Sequence, residues 1–238
     1  AMLRLRLLTW DVKDTLLRLR LPVGESYAAL ARAHGVQVQA QTLSRSFREA
    51  YGEQNRRFPN YGRDRGLGSR RWWVEVVKQT FRLSGVRDEG VLTEMAKKLY
   101  RDFCSASNWE LLPGAGETLR QCRQRGFCMA VVSNFDQRLE TILCQCDLRR
   151  HFDFVICSEA AGFAKPDGRI FQQALSLAGV SPGQAAHIGD DYARDYRAAR
   201  ALGMHSFLLR AAQQGQQPEV PPEHVLPTLS HLLARIEK

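Results

Sequence analysis

The sequence predicts an α/β protein: a doubly wound parallel sheet interrupted by one helical insertion. Three observations lead there. A short apolar run, residues 5–10, ends abruptly at Asp11. The apolar period then turns helical from about 22 to 104. After Pro113, short β-rich runs alternate with helical stretches, the pattern of strand–helix units wound around a parallel sheet. The 238 residues are enough for one large domain or for a domain with an insert.

The elements follow in order. Leu7, Leu8 and Trp10 mark the first strand. Tyr27, Leu30 and Ala31 form one helical face, and Leu43, Phe47, Ala50 and Tyr51 a second. The stretch "NRRFPNYGRDRGLGSRR" is rich in Gly, Arg and Asn and reads as a loop, with a helix starting near Ser69. Trp72, Trp73, Val76, Val77 and Phe81 make a third helix, and Val91, Met95, Leu99 and Phe103 a fourth. Beyond Pro113 the pattern predicts helices over 115–124, 136–145, 168–178 and 192–202. These lead into strands over 127–134, 152–158, 185–191 and 204–210. A polar Pro/Gln loop is expected over 211–224, then a last strand-like turn and helix over 225–236. Residues 1–16 and 108–238 are therefore assigned to the sheet domain and 17–107 to the helical insert. An insert between the first two strands is expected over the carboxyl ends of the strands, where doubly wound sheets bind ligands.

Composition narrows the classes. No apolar run approaches the length that spans a bilayer, so a soluble protein without membrane partners is expected. Strand-like sequence begins within a few residues of Met2, and no signal or transit peptide is expected ahead of it. The six cysteines (104, 122, 128, 144, 146 and 157) are scattered through apolar segments. They read as reduced thiols of an intracellular, by default cytoplasmic, protein rather than as zinc ligands. The net charge of +9 is uneven: residues 18–110 hold 17 Lys and Arg against 10 Asp and Glu. A basic surface attracts phosphates, yet arginine-rich helical faces are usually just solvated. The arginines at 56, 57, 63, 65, 70 and 71 are read that way, with one or two allowed to reach a ligand. Trp72 and Trp73 point about 100° apart on a helix, so core packing is preferred over base stacking.

In a parallel sheet, whatever follows each strand lies on one rim. The residues collected there are Asp11, then Ser133 and Asn134, then Lys165 in "AKPDGRIF", then Asp190, Asp191 and Asp195 after Gly189. Carboxylates from two strands can share a hard divalent cation such as Mg²⁺, and a lysine with a hydroxyl supplies donors for an anion. This equipment suits metal-assisted phosphoryl transfer to an aspartate. Asp195 is left open between supporting the metal site and pairing with Arg194 or Arg197. His187 is read as a satisfied core histidine.

The order and spacing of "DVKDTLL", "VVSN", "AKPDGRIF" and "HIGDDYARD", together with the helical insert, resemble the haloacid dehalogenase superfamily of hydrolases over the whole chain. The resemblance implies a Rossmann-like core with a helical cap. It implies Asp11 as nucleophile and Mg²⁺ ligand, and Ser133 with the Asn134 backbone as phosphoryl donors. Lys165 would be the neutralising cation, Asp190 a direct metal ligand, and the Lys13 carbonyl a third ligand. One departure stands out. Phosphatases of this family carry an aspartate where this chain has Lys13, and that aspartate protonates the leaving group and later activates water. A lysine, with an ordinary pKa of about 10.4, is a poor base at neutral pH. Loss of general acid/base help costs on the order of 10²–10⁴ in rate. Weak or lost activity is therefore expected. Lys13 is expected either to pair with Asp11 and Asp190 or to point into the cap gap and hold an anion. The substrate would be a small phosphorylated molecule turned over by a monomer. The alternative is a non-catalytic protein that binds a phosphorylated ligand, RNA or a protein partner, although no nucleic-acid recognition module is present.

Overall fold

Leu7, Leu8 and Trp10 are wholly buried in β1 (Leu7–Trp10), which occupies an inner position of a six-stranded parallel sheet. The computed structural model describes residues 4–210 and 219–237. The first part of the polar loop expected over 211–224, residues 211–218, lies outside the described residues. On one side β1 pairs with β4 (Cys128–Ser133), Leu7 opposite Cys128. On the other it pairs with β6 (Ala185–Gly189), Leu7 opposite Ala185. Beyond β4 lies β5 (Phe154–Cys157). Beyond β6 lie β7 (His205–Leu209) and β8 (Val225–Leu226). The short strands β2 (Leu17–Leu19) and β3 (Trp109–Leu111) pair in a separate two-stranded sheet, and helices α5 (Ala115–Gln124) and α7 (Ser158–Ala161) precede β4 and follow β5. Strand order reverses at β1, so Asp11 leaves the sheet at its topological switch point.

The alternation after Pro113 does produce a doubly wound parallel α/β sheet. Its inner strands are apolar on both faces because helices cover both. On one face Leu7, Val132 and Ile156 pack with Ile170, Phe171 and Ala174 of α8 (Arg169–Ala178). Complete burial of each large side chain contributes ~1.5–3 kcal/mol.

The chain divides into two compact units. The sheet unit takes the chain up to Arg18, Leu111–Phe135 and everything from Cys146 onward. The helical unit takes Leu19–Glu110 and, in addition, Asp136–Gln145. The helical period over 22–104 resolves into α1 (Val23–Ala33), α2 (Ala40–Arg57), α3 (Ser69–Leu83) and α4 (Glu89–Asp102). Their core joins Tyr27, Leu43, Val77, Phe81, Leu92 and Met95, with Tyr27 stacked on Phe81 at 5.7 Å. Helices α1 and α2 approach so closely that a Cβ on Gly24 would lie 2.1 Å from the Ala40 carbonyl oxygen. Trp72 is wholly buried with Ala50 and Val76, as core packing predicts, and its indole N–H donates to the Phe58 carbonyl.

Two helices start differently from their sequence pattern. The helix expected from 136 begins at Leu139 as α6 (Leu139–Gln145), because Asp136 turns its carboxylate back. That carboxylate accepts from the Arg138 backbone N–H, the Arg138 guanidinium and the Trp73 indole N–H. The helix expected from 192 opens as a π-turn over Tyr192–Arg197 before α9 (Ala198–Ala201). Asp191 caps it by accepting from the Arg194 N–H at 2.7 Å, and the Tyr196 N–H reaches the Asp191 carbonyl. Among the described residues no helix is long and apolar enough to cross a membrane.

Candidate active site

Asp11 follows the last residue of β1, its backbone N–H still donating to the Ile188 carbonyl, so the strand's own ladder holds it on the rim. Its carboxylate is nearly buried. Oδ1 accepts from Ser133 Oγ at 2.9 Å and from Lys165 Nζ at 2.9 Å. Ser133 ends β4, next to β1 in the sheet, which brings its hydroxyl beside Asp11 although the two lie 122 positions apart in the chain. Asn134 does something its position did not predict: its side chain clamps the Lys165 peptide. Nδ2 donates to the Lys165 carbonyl at 2.8 Å, and Oδ1 accepts from the Lys165 N–H at 2.6 Å.

Lys165 is buried and bridges two carboxylates, Asp11 at 2.9 Å and Asp195 at 2.5 Å. Burial works against its charge, but the two carboxylates outweigh burial and hold its pKa above the ordinary lysine value. Asp195 is not the partner of Arg194; Asp191 is, at 2.8 Å. The π-turn instead carries the Asp195 carboxylate inward. It meets Lys165 there, accepts from the Asp191 N–H at 3.0 Å, and contacts His187 Nε2 at 3.0 Å. Burial pushes the Asp195 carboxyl up, yet Lys165 and His187 prevail and hold it well below the usual carboxylate range.

His187 is indeed buried and satisfied, but it also touches the site. Burial holds its imidazole below the ordinary pKa, so the ring is neutral. An ionised Asp195 can only accept, which places the ring proton on Nε2. Nδ1 then accepts from Thr9 Oγ1 at 2.8 Å. The result is a continuous chain, Thr9–His187–Asp195–Lys165–Asp11, behind the rim.

Asp190 follows Gly189 and accepts from Thr15 Oγ1 at 3.1 Å. Its carboxyl is pushed up to about 7, first by burial and then by the charges of Asp11, Asp195 and Asp14; the Thr15 hydrogen bond opposes this. Carboxylate oxygens of Asp11, Asp190 and Asp195 all lie within 4.8 Å of one another. Among the described residues the three carboxylates have one cation in direct contact, the Lys165 ammonium, beside a neutral imidazole; the Arg194 guanidinium, held on Asp191, acts on Asp11 and Asp195 only through its field. Such an excess of anionic oxygen fits a hard divalent cation. Asp195 is saturated by Lys165, His187 and the Asp191 N–H. Asp11 and Asp190 each retain one oxygen without a protein partner among the described residues. These two are the side chains suited to hold the ion.

Lys13 lies apart from this cluster. Its ammonium contacts Asp14 at 2.5 Å, both side chains about half exposed, and it pairs with neither Asp11 nor Asp190. The chain after Asp11 curls tightly: the Thr15, Leu16 and Leu17 N–H groups all reach the Val12 carbonyl, and Asp14 is left-handed at φ 63°. This curl also brings Thr15 to Asp190. Thr15, Thr9, His187 and the Asn134 side chain are the site residues that sequence patterns did not assign. Only Thr15 left a local trace, as a small hydroxyl residue within the turn after the first strand.

Residues 5–203 match the sequence profile of the haloacid dehalogenase-like hydrolases. The chain is 57% identical over 238 residues to haloacid dehalogenase-like hydrolase domain-containing protein 3 of Bos taurus, covering 99% of this chain and 95% of the relative. Among solved structures, a defluorinating L-2-haloacid dehalogenase superposes with a TM-score of 0.76 at 18% identity, covering 98% of this chain and 96% of the other. A phosphatase from Thermococcus onnurineus superposes with a TM-score of 0.67 at 21% identity, covering 97% of each chain. At these identities the structural likenesses speak for the fold alone.

Proposed function

Because the chain belongs to the haloacid dehalogenase-like hydrolases, we propose that it is a Mg²⁺-dependent phosphate-ester hydrolase with slow turnover, working through an aspartyl-phosphate on Asp11. The observation that supports this most is the pairing of two differently equipped carboxylates at one rim. Asp11 sits between the Ser133 hydroxyl and the Lys165 ammonium, both able to bind a phosphoryl group. Among the described residues Asp190 has no cation at salt-bridge distance, and burial with the neighbouring carboxylates pushes its carboxyl up to about 7. Mg²⁺ would be held by Asp11, Asp190 and the Lys13 carbonyl; when bound it supplies positive charge to the carboxylates and to the phosphoryl oxygens.

The chain's own residues account for the rest. The free oxygen of Asp11 attacks phosphorus, the ester P–O bond breaks, and the leaving alkoxide takes a proton. Ser133 and Lys165 donate to the phosphoryl oxygens and restrain Asp11 against rotation. The Asn134 clamp fixes the Lys165 backbone, and Asp195 with His187 fixes its ammonium. Water then attacks the phosphorus of the acyl phosphate, releasing phosphate and restoring Asp11. Neither proton transfer has the family's aspartate: the Lys13 ammonium, on Asp14, can give a proton to the leaving oxygen, but a lysine held as its ammonium cannot serve as base for the water. Slow turnover follows. In this reading the substrate is a small phosphorylated molecule and the working form a cytoplasmic monomer.

The test is hydrolysis of p-nitrophenyl phosphate with and without Mg²⁺, with Asp11→Asn as the blank. Turnover that needs both Mg²⁺ and Asp11 is expected. Equal rates in wild type and Asp11→Asn would overturn the assignment and leave the non-catalytic alternative, a hydrolase fold that holds a phosphorylated ligand, RNA or a protein without processing it.

A further inference from the structure

The basic excess of the helical unit converges on one cleft. A solvent-open cavity of about 650 Å³ is lined by five cations, Arg57, Arg70, Arg71, Lys78 and Lys97, and a single carboxylate, Glu75. Arg57 comes from the last turn of α2, and Lys97 from α4. Arg70, Val74 and Lys78 follow one another four apart along α3, and Arg71 and Glu75 form the neighbouring row, so the two rows together present one broad face to the cleft. Leu67 and Val74 supply an apolar floor, and the Phe58 ring beside them carries the Arg57 and Arg65 guanidiniums at 5.5 Å each. All of these residues belong to the helical unit, and none is shared with the Asp11 site.

The protein balances only part of the charge inside the cleft. Glu75 is engaged by Arg82 at 3.1 Å, Lys78 pairs with Glu89 at 2.9 Å and Lys97 with Glu94 at 3.8 Å. Arg57, Arg70 and Arg71 have no carboxylate partner among the described residues; Arg57 only stacks over the Phe58 ring at 5.5 Å. The placement of Arg70 and Arg71 is itself unfavourable for the helix. They stand in the first turn of the 15-residue α3, which has no acidic residue there, so two cations face the positive end of the helix dipole. A solvated helical face gains nothing from cations at that end, whereas an anion would be drawn by the guanidiniums and the dipole together.

We infer that this cleft is a second ligand site, for a small molecule bearing two or more phosphoryl groups. Guanidiniums bind phosphate in a bidentate manner, and three without a carboxylate partner among the described residues match at least two phosphoryl groups. The volume is that of a small-molecule pocket rather than of an extended nucleic-acid track. The apolar floor accepts a carbon or base moiety beside the charged part. The site does not depend on Asp11 chemistry, and a failure of either reading leaves the other intact.

The experiment is calorimetric titration of inorganic tripolyphosphate into the full chain in EDTA at low salt. The variants are the Arg70→Ala/Arg71→Ala double substitution and Asp11→Asn. Wild type and Asp11→Asn are expected to bind one equivalent with equal affinity, and the double variant at least about tenfold more weakly. The melting temperature of the double variant without ligand should equal or exceed that of wild type, because two cations leave a helix N-terminus. No heat with wild type, or undiminished binding by the double variant, overturns the proposal. So does loss of the binding in Asp11→Asn. A single-stranded RNA that competes with tripolyphosphate and binds far more tightly would also overturn it, reassigning the cleft to nucleic acid.

Discussion

Asp190→Asn should make the metal-free protein more stable and abolish its response to Mg²⁺. The wild-type carboxyl is raised from 3.8 to about 7 by burial and by the neighbouring charges of Asp11, Asp195 and Asp14. That is roughly three pKa units at 1.36 kcal/mol each, or about 4 kcal/mol as an upper figure. The sign follows from proton linkage. Between 3.8 and 7 the folded chain keeps a proton that the unfolded chain releases, so stability falls as pH rises through this window. Below it the carboxyl is protonated in both states and costs nothing; above about 7 the full cost is present. Asparagine carries no charge and can still accept from Thr15 Oγ1. The advantage of the variant should therefore be absent near pH 3, grow through the window, and level off above pH 7. For a chain of this length each kcal/mol is worth about 2–4 °C in Tm, so the plateau should be on the order of 10 °C. Mg²⁺ at a hundred times its Kd should offset most of the benefit by raising the wild-type Tm, since binding at that level stabilises by about 2.7 kcal/mol. The variant's Tm should stay where it was. Circular-dichroism melts in EDTA and in Mg²⁺, across pH, read both effects. A variant that melts at or below wild type in EDTA above pH 7 would refute the electrostatic account. A wild type indifferent to Mg²⁺ would refute the metal assignment.

Lys13→Asp should raise Mg²⁺-dependent hydrolysis of an aryl phosphate by roughly 10²–10⁴ by supplying the missing acid and base. The half-exposed Lys13–Asp14 pair it removes is worth at most about 1 kcal/mol, so the variant should stay folded; no gain in rate would place the defect elsewhere. Gly189→Ala would put a Cβ 2.2 Å from the Asp195 carboxyl carbon, displacing the group that holds Lys165. A loss of roughly 1–3 kcal/mol in urea unfolding is expected, together with a weakened Mg²⁺ response in thermal melts. Asp136→Ala strands a buried guanidinium and leaves the Trp73 indole N–H without its acceptor. Chemical denaturation should show a cost of about 3–5 kcal/mol, and a loss below 1 kcal/mol would mean that Arg138 finds other compensation.

What the sequence determined by itself was local in origin. Apolar period located the strands of the six-stranded sheet and the longer helices, because side-chain direction repeats every two residues in one and every 3.6 in the other; the short strands Leu17–Leu19 and Trp109–Leu111 and the turn of helix over Asn60–Arg65 were too brief to show a period. The rule that parallel strands discharge onto one rim then gathered Asp11, Ser133, Lys165 and Asp190 without coordinates, and the structure brings all four within one sheet unit. Tertiary structure decided the pairings. Lys13 turned to Asp14 because a left-handed residue curls the chain straight after β1, a dihedral no side-chain period reports. Asp195 went to Lys165 and His187 rather than to its sequence neighbour Arg194, because a π-turn rotated it inward. Asp136–Gln145 joined the helical unit because a buried carboxylate there satisfies Trp73 and Arg138. In each case several partners of the right charge were available along the chain. Strand register, the geometry of one turn, and the cost of leaving a charge buried and unpaired selected among them.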